Sequence, residues 1–112
     1  MDAKTRGHIE KMIDELVEEF EVAPIIQWLK QLLPIKSLED AVFGYKIGEI
    51  LAFARAGVFY LILISGSISK KELIRRYAPE GEVPEEDKNE IIKMVERRIP
   101  QIREKIAREF GR

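Results

Sequence analysis

Few residues in this chain have the types and spacing that chemistry needs. His8 is the only histidine, and imidazole is the side chain best suited to proton transfer near neutral pH. It falls on the charged side of its segment, away from the apolar stripe, where a solvated surface residue is expected rather than a base or ligand. Glu15, Glu18 and Glu19 crowd carboxylates into one stretch of the same segment, the donor type that magnesium prefers. No second acidic cluster follows at matching spacing, so the glutamates read as a solvated face. Gly44-Tyr-Lys-Ile-Gly48 holds two glycines, but inside a helical pattern and not after a strand, which a phosphate loop requires. The chain has no cysteine, which removes disulfides, thiolate metal sites and cysteine nucleophiles. No catalytic residue, metal or cofactor is expected.

Cations are the next candidates. The net charge of −1 argues against wholesale capture of nucleic acid. Residues 97–112 nevertheless carry six Lys/Arg against two Asp/Glu. The apolar run Val58–Ile64, a Ser-Gly-Ser turn and Ser69–Tyr77 together resemble the first two helices of a helix-turn-helix or winged-helix domain, and a third helical pattern begins at Glu85. In such domains the third helix leads into the major groove. Here that end is Glu85-Glu86-Asp87, which phosphate would repel. If nucleic acid is bound, Lys70, Lys71, Arg75, Arg76, Arg97, Arg98, Arg103 and Arg108 are the better candidates. The competing reading of these residues is a solvated face that also complements helix C-termini.

A third pattern concerns packing. Gly44, Gly48, Ala52 and Ala56 recur every fourth residue, with Ala41 on the same side. Such residues drift only about 40° per step around a helix, so they form one shallow trough. Small side chains let a second backbone approach closely, and each helical glycine costs about 1 kcal/mol relative to alanine. The trough therefore implies a close helix–helix contact. Another helix of the same chain is the commoner occupant, and a second copy is the alternative.

The elements that position these residues read as helices. Ile9, Ile13, Leu16, Val17 and Phe20 make an apolar stripe over residues 3–21, ended at Ala23-Pro24. Pro24 suits the first position of a short helix over 24–33. Ser37 is a good N-cap for the segment 38–64, a run of about 40 Å if wholly helical. A break at Gly57 with Val58–Ile64 as a strand is the alternative, but no convincing second strand exists to satisfy its backbone. Residues 69–77 form a short helix. Ile91, Val95, Ile99, Ile102 and Ile106 stripe a last helix over 85–110, which Pro100 should kink or split, a kink being favoured because the stripe holds phase across it. The expected fold is all-α, one domain over residues 1–112, a compact bundle of about five helices around a long apolar central one.

Membrane insertion is not expected, because the 18-residue apolar run Ile47–Ile64 contains Glu49 and Arg55 and a span needs about 20 predominantly apolar residues. Those two charges lie about 240° apart on a helix, so Lys46, three residues before Glu49, is the expected partner. Arg55 should meet a carboxylate from another helix or extend to the surface. Charged residues make up 35% of the chain and Asn89 is the only asparagine, the bias of hyperthermophile proteins. A thermophilic prokaryote, archaeal for preference, and a cytoplasmic location are expected, with no signal peptide. Function is read as a small helical protein-interaction or regulatory module, self-associating (a homodimer) or a subunit of a larger assembly. Its interface would be Ala41, Gly44, Gly48, Ala52 and Ala56. The second reading is a nucleic-acid-binding protein, a transcriptional regulator for instance, using region 58–99 and the basic tail.

Overall fold

The computed structural model describes residues 1–32, 37–66, 68–77 and 83–111. Six helices follow one another: α1 (Ala3–Glu19), α2 (Val22–Leu32), α3 (Leu38–Ser65), α4 (Lys70–Tyr77), α5 (Glu85–Glu96) and α6 (Ile99–Glu109). Among the described residues there is no strand. The architecture is a helical bundle with α3 at its centre, in contact with each of the other five helices.

Local chemistry sets most of the boundaries. The Asp2 carboxylate accepts from the Thr5 N–H at 2.7 Å and caps α1. Phe20 then turns extended and buries its ring, so α1 stops before Glu21. α2 starts at Val22, ahead of Pro24, because a proline in the first turn lacks only an N–H that has no intrahelical partner anyway. The expected end of this helix at Leu33 and Pro34 lies outside the described residues. Ser37 Oγ accepts from the Asp40 N–H at the start of α3. Gly66 closes it with φ 66°, donating its N–H to Ile62 O at 3.1 Å, a left-handed cap that glycine adopts without strain. Residues 58–64 are thus the last two turns of α3 and not a strand. Ser69 Oγ caps α4 through the Glu72 N–H at 3.2 Å.

One boundary differs from expectation. Pro100 does not kink a continuous helix but begins a new one. α5 ends at Glu96, Arg98 donates its N–H to Val95 O, and α6 restarts with Ile102 N–H on Arg98 O. Proline cannot donate to the preceding turn and its ring crowds the carbonyl there, so the first turn of α6 is where it fits. The apolar stripe stays in phase across the break, with Ile91, Met94 and Val95 buried in α5 and Ile102 and Ile106 in α6.

The core lies along one side of α3. Val42, Lys46, Ile50, Ala54 and Val58 are its buried residues, again one every fourth position. α1 runs antiparallel to it. A Cβ on Gly57 would meet Ile9 Cδ1 at 2.9 Å and Met12 Cε at 3.0 Å, so α1 packs closely against α3 at Gly57. At the other end two ammonium groups approach the Phe20 ring, Lys46 Nζ at 4.7 Å and Lys105 Nζ at 4.5 Å from its centroid. Lys105 also donates to the carbonyls of Val17 and Glu18, satisfying the C-terminal end of α1. Ion pairs tie the outer helices together. Glu10 receives both Arg97 and Arg98, Asp14 receives Arg98 at 2.7 Å, and Glu90 receives Arg6 at 3.0 Å.

Candidate interaction face

The side of α3 opposite its buried stripe carries the trough. Gly44, Gly48, Ala52 and Ala56 are exposed and Ala41 is half-buried. A Cβ built on Gly44 or Gly48 meets nothing within 4 Å. The expectation that a helix of the same chain fills the trough therefore fails among the described residues. The buried line of α3 is the other one, and its close contact is made at Gly57.

Large apolar side chains flank the trough and stand in solvent. Tyr45 is 37% exposed, Phe53 50%, Tyr60 61%, Leu63 41% and Ile64 63%. Trp28 of α2, 48% exposed, joins them with its ring 5.3 Å from Tyr45 and tilted by 54°. Ile74 of α4, also 48% exposed, walls a groove of about 640 Å³ whose floor is Ala52, Ala56 and Phe59. At roughly 200 Å² per large side chain, these seven residues of α2, α3 and α4 leave roughly 700 Å² of surface in water. Only 17% of the most apolar 18-residue stretch of α3 is buried, although α3 is long and apolar enough to cross a membrane by length and composition. The whole chain shows the same openness. Its radius of gyration is 15.9 Å, against about 13 Å for a compact domain near this length. Its accessible surface is 7490 Å², against about 6300 Å² expected for its mass.

Charge is kept to the edges of this face. Lys46 is buried and donates to Glu49 Oε1 at 2.5 Å, the pairing expected from their spacing. Glu49 also raises the Tyr45 phenol above its ordinary value, through its charge first and then a hydrogen bond. Arg55 is half-buried at the wall shared by the α3–α4 groove and a second cleft of about 510 Å³ against α5, lined by Leu51, Val83, Lys88 and Ile91. Beside it, Tyr77 donates to Asp87 Oδ2 at 2.6 Å, and the Met1 ammonium donates to Asp87 Oδ1 at 2.9 Å. Burial pushes the Tyr77 phenol up, and its hydrogen bond to Asp87 adds to that. Burial of Asp87 works against its charge, yet the two donors outweigh it and leave its carboxyl below the ordinary value.

The eight cations proposed for nucleic acid do not form one uncommitted surface. Arg75 and Arg76 both hold Glu72, at 2.6 and 2.9 Å, and pull its carboxyl down to about 2. Arg97 and Arg98 are engaged with α1. Arg103 stacks on Phe43 at 3.5 Å and reaches Asp40 at 3.2 Å, and Arg108 pairs with Glu104 at 2.9 Å. Lys70 and Lys71 are exposed on α4. Glu85 and Glu86 lie exposed at the start of α5, and Asp87 beside them is already bonded. His8, Glu15, Glu18 and Glu19 lie on α1, and no three carboxylate or imidazole groups converge as for a metal among the described residues. What the residue pattern did not single out are the exposed aromatics Tyr45, Phe53 and Tyr60 beside the trough. Their signal was available, because aromatics at positions flanking small residues are what a docking face needs. Comparison with protein families, with curated proteins and with solved structures finds no match to this chain.

Proposed function

We propose that this chain is a helical protein-interaction module that acts by presenting the outer face of α3 to a helix of another polypeptide chain, and that it carries out no reaction itself. The observation that carries the reading is the uncovered apolar face around Gly48, Ala52 and Ala56. A helix apolar all round is stable in water only when its whole circumference is covered, and the five helices packed on α3 leave the side of Gly48, Ala52 and Ala56 exposed. A protein suits the face better than lipid does. For α3 to cross a bilayer, it would have to leave helices whose outer faces carry Glu10, Asp14, Arg97 and Arg98. Ile9, Ile13, Ile102 and Ile106 would then be exposed to water, each at a cost of about 2 kcal/mol. The dense ion pairing between helices supports a protein suited to high temperature.

A photo-reactive benzoylphenylalanine in place of Ala52, in the full chain expressed in cells, tests the reading. A protein adduct is expected at Ala52 and not at the exposed control position Lys71. Adducts confined to lipid, or no adduct above the control, would refute it.

A further inference from the structure

We infer that the occupant of this face is a second copy of the chain, bound across a twofold axis near Ala52 with the two α3 helices antiparallel. The inference rests on the docking reading above and names its partner. Three observations carry it. The large side chains left in water on α2, α3 and α4 offer roughly 700 Å² per chain, close to the about 800 Å² per partner of a standard stable interface. The chain's net charge is −1, and the charges bordering the face are Glu49, which Lys46 already engages, and Arg55 in the groove wall, so two copies meet with little repulsion.

The third observation is the order of side-chain sizes along α3. Gly44, Gly48, Ala52 and Ala56 run along the first two thirds of the face, with Tyr45 and Phe53 beside them, and Tyr60, Leu63 and Ile64 gather at its C-terminal end. A twofold contact requires that if one residue meets another, the reverse contact is also made. With Ala52 on the axis, Gly48 of one copy faces Ala56 of the other and the backbones cross closely, as small residues four apart permit. Two turns out, where crossing helices diverge, Tyr60 of one copy meets Gly44 of the other, and Leu63 meets Ala41. A parallel arrangement would set Tyr60 against Tyr60 and Leu63 against Leu63, a collision at the C-terminal end where the bulky residues gather.

Absence of native cysteine makes single thiols clean probes. Purified full-length protein should sediment as a dimer at about 100 µM, and Ala52→Leu should weaken association at least tenfold, or about 1.4 kcal/mol, with helicity unchanged. Under mild oxidation Ala52→Cys should link to itself. Gly48→Cys should link to Ala56→Cys in a mixture, and neither should link efficiently alone. A wild-type monomer at that concentration would overturn the second-copy inference, while a photo-adduct of other mass at Ala52 would leave the docking reading standing. A dimer whose Gly48→Cys variant links to itself would overturn the antiparallel register. Co-sedimentation with phosphatidylglycerol vesicles, without any protein–protein link, would overturn both.

Discussion

Replacing Gly48 by alanine should act in opposite directions on folding and on association, and this opposition is the sharpest test of the role given to α3. Gly48 lies in mid-helix, and a Cβ there meets nothing within 4 Å. In the isolated chain the substitution therefore adds helix propensity without a clash, stabilising the monomer by about 0.5–1 kcal/mol. For a domain of this size that corresponds to about 4 °C in Tm. At a helix crossing the same methyl group holds two backbones apart, which should weaken the dimer about tenfold. Gly48→Leu should weaken it about a hundredfold while leaving the monomer folded. Urea unfolding at about 1 µM protein reads the monomer's stability, since association no longer contributes when dilution is well below Kd. Sedimentation equilibrium across a concentration series reads the association. An unchanged association constant in both variants would remove the small residues from any contact. A less stable Gly48→Ala monomer would show that Gly48 is covered after all.

Other outcomes follow from the packing. Lys105→Met removes two donors to the last carbonyls of α1 and one of the two cations on Phe20, and should lower stability by about 1–2 kcal/mol in urea melts. Arg98→Met strips partners from Glu10 and Asp14 and a donor from Met94 O, at a cost of about 2 kcal/mol by the same measurement. Asp14 is held below its ordinary value by Arg98, Glu90 by Arg6, and Asp87 by the donors that outweigh its burial. Their folded values lie below the unfolded ones, so the stability they supply is full above about pH 5 and fades as pH falls through the folded values. Circular dichroism melts between about pH 6 and pH 2 should show that decline, with a smaller one for Asp87→Asn. Tyr77 has the opposite sign, its folded value being raised, so its contribution persists below about pH 10 and is lost as pH climbs further. Phenolate absorbance should include a delayed component that Tyr77→Phe abolishes. On duplex DNA at about 50 mM salt the chain should show little retention, because six of its eight candidate cations carry a carboxylate partner.

Much of the fold was legible because its signals are local. Ser37, Ser69, Gly66 and the 3.6-residue stripes act within a few residues of themselves, and they set helix boundaries to within a turn or so. Lys46–Glu49 was legible for the same reason. Pro100 was harder, since an in-phase stripe fits both a kinked helix and a broken one. What separates the two is the turn at Arg97 and Arg98, where both guanidinium groups are claimed by α1. The trough was legible as a feature but not in its direction. Two lines of residues run along α3 four apart, Val42 to Val58 and Gly44 to Ala56, and the packing of the other helices decides which is inside. The glycine that the tertiary structure needs is Gly57, which in the sequence reads as a potential break.

That exchange of roles between glycines bears on how α3 works. Gly57 is explained within the chain, since α1 occupies the space a Cβ would take. Gly44 and Gly48 have no such explanation, yet together they cost the isolated helix about 2 kcal/mol relative to alanine. Within one chain that cost has no compensating contact among the described residues. A backbone brought close from outside supplies one, and it would at the same time cover Tyr45, Phe53 and Tyr60. The internal side of α3 shows what such a contact requires: its buried charge, Lys46, is neutralised by Glu49 and shielded by Phe20. The outer side meets the same condition along the trough itself, where every residue from Gly44 to Ala56 at the four-residue spacing is glycine or alanine. Substituting Ala52 by arginine, which places an unpaired cation at the centre of the proposed contact, should therefore abolish association while leaving the monomer's melting curve within about 0.5 kcal/mol of the wild type. A retained dimer would place the interface elsewhere on the molecule.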